Sequence, residues 1–548
     1  MLRNVVSILR VVLGLVLWPI ARLRRKPCDV LRFTLKGSPP QLPRRRPFWD
    51  LRRAPMSIRT FERRLRRAIA DDQLPCILVD IEHLETGWAT LQTLHGLVAE
   101  ARRKGKRVVA HLAEGGGLPE YYVACAAGEI WIGPSAALSL TGLSVEATYL
   151  AEALERTGLQ GQVEAVGRYK TAGETLVRHE MTAENAEMLG EVLDELEGVV
   201  VEAVQETRPI GPSEARELIG RGPYVAGRAK ELGLVDDTLY PDQIAQRLAP
   251  AGSGRSRILR WPGYARGRHR LETWPLGRKK LVVYEVRGVL VEGDGPGFKG
   301  VVGARDVVTQ LRELRTDPRV AAVVLSVESR GGTVVASDQI RREVERLAEK
   351  KPVVAHVCDV AASGGYMIVA AAHQIVAQRT SLTGSIGVLA GKVSGHRLLE
   401  RLGLHRQVVR RGRNASFASP AEPWTADERQ AVRAMILAHY RGFIEAVARG
   451  RRLPPEQIER AAEGRVWTGG RALELGLVDL EGGLARAIEV ARETSPDARR
   501  ALVEARRPRV PLLPRRLVPR ELAGALALAQ VLESGTVLAI EPFELRIR

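Results

Sequence analysis

The sequence repeats itself, and a duplicated chain must be placed repeat by repeat before any of its motifs can be read. Val108-Val109-Ala110-His111 recurs as Val353-Val354-Ala355-His356, an offset of 245. Gly227-Arg228-Ala229-x-Glu231-Leu232-Gly233-Leu234-Val235-Asp236 recurs as Gly470-Arg471-Ala472-Leu473-Glu474-Leu475-Gly476-Leu477-Val478-Asp479, an offset of 243. Two long matches at nearly one offset mark a tandem duplication, and Leu31 to Gly37 resembles Val282 to Gly288 in the same sense. The pattern predicts a first repeat over 29–248 and a second over 281–487. The stretch 249–280, rich in Gly, Pro and Arg, reads as a linker. Residues 488–548 form a C-terminal extension whose apolar run, Leu522 to Pro542, would cap a neighbouring subunit or touch a membrane.

Within each repeat, short runs rich in Val and Ile alternate with helical patterns, which is the signature of successive βα units. Val320 to Val327 and Pro352 to Val357 read as strands, Ser337 to Glu349 and Tyr366 to Ala372 as helices. Ile58, Phe61, Leu65 and Ile69 after Ser57 read as a capped amphipathic helix with a basic outer face. The fold class is therefore α/β, with curved, stacked sheets and flanking helices. A length of 548 residues exceeds what one hydrophobic core serves, and 45% hydrophobic with 27% charged residues is ordinary globular usage.

The formal charge of +19 comes from 71 arginines and 12 lysines against 64 acidic residues. The arginines are spread along the chain without aromatic or zinc motifs, so the charge reads as a solvated basic surface and no nucleic-acid partner is expected. Cys28, Cys76, Cys125 and Cys358 are scattered and form no metal-ligand spacing, so free thiols and no metal are expected. Residues 1–28 contain a run from Val5 to Ala21 that is apolar apart from Ser7 and Arg10, followed by Arg22, Arg24, Arg25 and Lys26. This reads as a retained membrane anchor or an interfacial segment, which would place the chain at the cell's inner membrane. The basic cluster argues for a cytoplasmic body and Arg3 and Arg10 on the other side of the run argue against it, so the side of the membrane stays open.

Two glycine turns after strands offer backbone N–H groups to an oxyanion. They are Ser329-Arg330-Gly331-Gly332 and Ala362-Ser363-Gly364-Gly365-Tyr366. Ser363, entering an apolar helix at its positive end, is a candidate nucleophile; its bland reading is a helix N-cap. A serine nucleophile needs a base, and no Ser-His-Asp arrangement can be read from a sequence. The chain has no lysine after Lys392, and the lysines of the second repeat lie in linker, loop or helix-end contexts. Lys170, in Tyr169-Lys170-Thr171-Ala172 after the strand-like Gln162 to Val166, is the better base. At the repeat offset Lys170 falls on Ala415 and Ser363 on Leu118, so each half keeps one member of a Ser/Lys pair.

This constellation resembles the signal peptide peptidase A family in its long tandem form, serine proteases of the Clp protease/crotonase superfamily. The resemblance rests on Tyr169-Lys170-Thr171-Ala172, Ala362-Ser363-Gly364-Gly365-Tyr366 and Leu382-Thr383-Gly384-Ser385-Ile386-Gly387, and covers 29–487. It implies two tandem crotonase-like domains, Ser363 as nucleophile, Lys170 as general base and Ser385 orienting the lysine. It also implies an oxyanion hole from Gly364 with Gly331 or Gly332, no cofactor, a homotetramer and apolar peptide substrates such as cleaved signal peptides. One departure is Arg330, where the family has proline, which predicts a softer oxyanion turn. An acyl-CoA-processing crotonase-type enzyme and a non-catalytic membrane scaffold remain open as alternatives.

Overall fold

The structure, a computed structural model, describes residues 27–43, 55–266, 268, 279–295, 300–508 and 537–540. The apolar N-terminal run lies outside the described residues. No helix among the described residues is long and apolar enough to cross a membrane. The chain forms two compact units, one from 1–143 and 196–278, the other from 144–195 and 279–547.

The first unit is built on a parallel sheet of β1 (Val30–Leu35), β2 (Cys76–Ile81), β3 (Arg107–Leu112) and β4 (Glu129–Ile132). Asp237–Thr238 extends it beside β4 and Ile258–Arg260 beside β1. Every residue of β2 is buried, as a strand covered on both faces requires. Helix α1 (Ile58–Ile69) buries Ile58, Phe61 and Leu65, and the Ser57 side chain accepts the Thr60 N–H at 3.1 Å. Arg63 and Arg67 stay on its exposed face, so the capped helix with a basic outer face is present as predicted. Helix α2 (Leu118–Ala124) follows the end of the β3 segment and is wholly apolar toward the core except for Glu120.

The second unit repeats this sheet and adds another. Strand β5 (Gln160–Val166) belongs to the added sheet. In the main sheet β6 (Lys280–Arg287) pairs in parallel with β7 (Val320–Ser329). Past a one-residue turn, β8 (Gly331–Thr333) continues the chain from β7 into the added sheet. Strand β9 (Val353–Ala362) pairs with β7 and with β10 (Gln374–Ala377), and β11 (Val388–Ser394) pairs antiparallel with β5 over seven residues. The last strand, β12 (Val537–Ile540), lies between β8 and β11 in that sheet. Helix α3 (Gly364–Val369) follows β9 and is fully buried.

Two features differ from the boundaries read in the sequence. Each main sheet ends in a parallel edge strand that the repeat limits left out: Ile258–Arg260 within 249–280, and Leu502–Arg506 within 488–548. Both are short and half exposed, so neither carries the apolar run by which a buried strand is recognised. Residues 144–195, counted with the first repeat, fold with the second unit because β5 is laddered to β11. That transfer brings Lys170 and Ser363 into one compact body.

Candidate active site

Ser363 stands between β9 and α3 with φ +54° and ψ −119°, a backbone conformation that a side-chain-bearing residue adopts only under constraint. Its N–H donates to Gly384 O at 2.8 Å, and its carbonyl accepts the Met367 N–H at 2.9 Å. The hydroxyl caps no helix N–H, which removes the bland reading of Ser363 as an ordinary N-cap. Instead Ser363 Oγ lies 3.1 Å from Lys170 Nζ, with both side chains buried.

Lys170 is delivered by the turn after β5. Gly167, at φ +110°, passes so close to Glu463 that a Cβ would stand 2.4 Å from its carbonyl carbon. The Tyr169 N–H then donates to Glu463 O at 2.7 Å. From there Lys170 Nζ donates to Ser385 Oγ at 2.8 Å and lies 3.3 Å from Ser385 O. Ser385 is itself at φ +50°, held by its N–H to Arg465 O at 2.7 Å. The three side chains singled out in the sequence, Ser363, Lys170 and Ser385, therefore meet in one buried cluster.

Both glycine turns lie beside this cluster. A Cβ at 365 would fall 2.5 Å from Ser329 O, so the bare glycine lets the nucleophile turn abut the Ser329–Gly332 turn. Gly331 is at φ +103°, and a Cβ at 332 would fall 1.9 Å from Leu290 O. The Ser329 hydroxyl donates to Gly288 O at 2.7 Å and accepts the Gly331 N–H at 3.1 Å. The turn that lacks proline at 330 is thus tied by a side chain.

Two residues escaped sequence reasoning. Arg465, only 8% exposed, lies over the rings of Tyr169 and Trp467 at 4.3 and 4.8 Å and pairs with Glu187 at 3.0 Å and Glu191 at 2.6 Å. Tyr169 also donates its hydroxyl to Glu187 at 3.1 Å. Arg465 thus grips the residue next to Lys170 with its side chain while its carbonyl holds Ser385. Only its neighbouring Trp hinted at stacking in the sequence, and its partners are more than 270 residues away for the carboxylate. Glu328, at the end of β7, accepts the Asp359 N–H at 2.8 Å; burial, and then the Asp359 charge, push its carboxyl up to about 8. Among the described residues no cluster of His, Cys, Asp and Glu is arranged to hold a metal, and all four cysteines are buried and unpaired.

Residues 100–252 and 345–496 match the family described as Peptidase family S49. The chain belongs to peptidase family S49. One matched segment lies in each half of the chain. The chain is 32% identical over 435 residues to serine protease SPPA, chloroplastic, of Arabidopsis thaliana, covering 78% of this chain and 64% of that protein. It is 30% identical over 443 residues to protease 4 of Salmonella typhi (78% and 70%) and 28% identical over 456 residues to protease 4 of Haemophilus influenzae (80% and 73%). The solved structure of a mutant of the 1510-N membrane-bound stomatin-specific protease aligns at 16% identity and TM-score 0.26, covering 43% of this chain and 99% of that one.

Proposed function

We propose that this S49 chain is a membrane-associated serine endopeptidase with a Ser363/Lys170 dyad, acting on cleaved signal peptides or other apolar, membrane-derived peptides. The observation that carries the reading is the 3.1 Å approach of Lys170 Nζ to Ser363 Oγ inside a buried cluster. Burial disfavours the ammonium form, so the amine is suited to take the hydroxyl proton as Oγ attacks a peptide carbonyl. The Ser385 hydroxyl keeps Nζ aimed at Ser363. The N–H of Gly364 and one from the Gly331–Gly332 turn hold the oxyanion of the tetrahedral intermediate. Lys170 passes the proton to the leaving amine, then deprotonates the water that cleaves the acyl-enzyme.

Fluorophosphonate labelling of the purified protein tests this. Wild type is labelled, and Ser363→Ala and Lys170→Ala are not. Full labelling of Lys170→Ala would sink the dyad, and an unlabelled but folded wild type would leave the scaffold reading in its place. A second reading has Glu328 in its favour, since an acyl-CoA enzyme of crotonase type wants a carboxyl beside its oxyanion turn. It leaves the Ser363–Lys170 contact without a purpose, and acyl-CoA titration by calorimetry separates the two.

The proposed assembly is a homotetramer attached to the inner membrane through residues 1–28. Repetition supports the ring: the repeat offset maps β5 onto 405–411, which enters no ladder among the described residues and exposes 87% of Val409. The same offset maps β11 onto 143–149. Pairing 405–411 of one copy with 143–149 of the next would reproduce the β5–β11 ladder between chains, and a head-to-tail contact of that kind closes into a ring when its rotation allows.

A further inference from the structure

The ladder between β7 and β9 is interrupted once, just before the two strands deliver their halves of the site. Val323 to Val327 pair with Val353 to Val357 residue for residue, and the next pair is Ser329 with Ala361. One residue of β7, Glu328, therefore faces three of β9: Cys358, Asp359 and Val360. The Glu328 carboxylate fills the interruption, its Oε2 accepting the Asp359 N–H at 2.8 Å in place of the ladder bond that a bulge forfeits. Past this point β7 runs into Ser329, whose hydroxyl accepts the Gly331 N–H of the oxyanion turn. On the other side β9 reaches Ser363 two residues after Ala361. Glu328 thus sits astride the two strands immediately before the turns whose spacing sets the attack.

The first repeat keeps the same pair of carboxylates without the interruption. There Cys76 to Asp80 pair with Arg107 to His111 with no shift of register. The matched histidines, His111 opposite Asp80 and His356 opposite Ser326, put Glu82 at the place of Glu328 and Glu114 at that of Asp359. Glu82 forms an ion pair with the exposed Lys36, a surface contact that contributes little. The bulge and the carboxyl that braces it belong to the repeat that carries the nucleophile.

We propose that Glu328 is a positioning residue for acyl transfer, its carboxyl bracing the bulge so that Ser363 and the Ser329–Gly332 turn keep their spacing. This rests on the Ser363/Lys170 reading. The brace also makes the site sensitive to alkali. Burial and the Asp359 charge push the Glu328 carboxyl up to about 8, so it is neutral at pH 7. Around it β6 contributes Glu285 and Arg287, the latter opposite Glu328 in the ladder. Strand β9 contributes His356, Cys358 and Asp359, and Arg330 follows in the turn. The helix Leu484–Glu493, packed on β7 and β9, buries only apolar side chains. Arg287 favours the ionised form, and burial with Asp359 outweighs it. An ionised Glu328 is relieved by turning to water, which its half-buried position allows, and the Asp359 N–H then loses its acceptor.

Glu328→Gln tests it, because the amide keeps an acceptor for the Asp359 N–H and cannot ionise. With an apolar peptide that has no group titrating in the alkaline range, kcat/KM of wild type and Glu328→Gln agrees within about twofold at pH 7. At pH 9 the wild type falls about tenfold below the variant, since Lys170 is common to both and cancels from the ratio. Glu328→Ala removes the acceptor and lowers kcat about tenfold at either pH with KM unchanged. A merely structural role would lower the melting temperature of Glu328→Ala and leave the profiles of wild type and Glu328→Gln superimposed. Superimposed profiles, in two proteins both labelled at Ser363 by fluorophosphonate, overturn the inference. Absence of label in both instead sinks the dyad on which it rests.

Discussion

Tyr121 and Tyr366 do the same work in the two repeats, each donating its buried hydroxyl to a carbonyl of the matched Gly-Leu-Val-Asp segment, Leu234 O at 3.0 Å and Leu477 O at 2.9 Å. Asp236 and Asp479 likewise each accept a strand N–H at 2.6 Å, from Ile130 and Ile375. With these anchors in place, the three residues before each tyrosine can be compared directly. Ser363, Gly364 and Gly365 in the second repeat stand where the first has Leu118, Pro119 and Glu120. The first turn has lost the hydroxyl, and Pro119 has no N–H where Gly364 has one. Its Glu120 carboxylate takes the N–H of Gly117 at 2.8 Å and of Leu84 at 2.6 Å. One turn satisfies its donors with its own carboxylate; the other keeps a glycine there and abuts Ser329. The same local fold thus serves as a closed structural joint in one repeat and an open site in the other.

Importing Pro119 into the second turn is the sharpest way to break that contrast. Gly364→Pro removes that N–H and also crowds Ser363, whose φ +54° and ψ −119° lie outside the extended backbone that a following proline requires. A loss of at least about 10²–10³ in kcat together with a lower melting temperature is expected. An unchanged kcat would show that Gly364 is no oxyanion donor.

The reverse change sharpens the comparison from the structural side. Glu120→Ala leaves the N–H groups of Gly117 and Leu84 without their acceptor, and a buried donor left unpaired costs about 1–3 kcal/mol. Urea unfolding reads that loss, while kcat of the second repeat stays at the wild-type value.

Arg465 is a positioning residue with no counterpart in the first turn. Arg465→Met keeps bulk but removes both ion pairs and the stacking charge, loosening Tyr169 beside the lysine. It lowers kcat about tenfold at constant KM, a loss of about 1.4 kcal/mol in the transition state, and displaces the pH–rate profile. A merely structural role would lower the melting temperature and leave that profile in place.

The smallest expected effect concerns pH. His356 in β9, buried and 3.1 Å from Ser326 Oγ, has its pKa lowered by burial to about 3 from an ordinary 6.5. The unfolded chain binds this proton over that interval and the folded chain does not. Stability present above pH 6.5 is therefore lost as pH falls toward 3, by about 1 kcal/mol between pH 6 and 5. Thermal melts of wild type and His356→Gln across that interval converge if His356 is responsible and run parallel if it is not.

Ser363 and Lys170 were legible because each is chemically odd in its local setting: a serine before paired glycines at a helix start, and a lysine among small residues in a chain where lysine is scarce. The βα order was legible because burial imposes a period on side chains. The edge strands Ile258–Arg260 and Leu502–Arg506 were not, because half-exposed strands carry no such period. Arg465 and Glu328 were not, because an arginine in an arginine-rich chain and a glutamate at a strand end are ordinary until their neighbours are known.

By itself, then, the sequence determined the duplication, the alternating architecture and the residues able to act as nucleophile, base and lysine-orienting hydroxyl, since these follow from local pattern and residue chemistry. Only the tertiary structure decided that a lysine 193 positions away reaches the serine, and that a C-terminal strand lies between the edges leading to them. Those facts depend on the registers of β5 on β11 and of β12 on β8, and register between distant strands is set by the packing of the whole sheet rather than by the residues of any one segment.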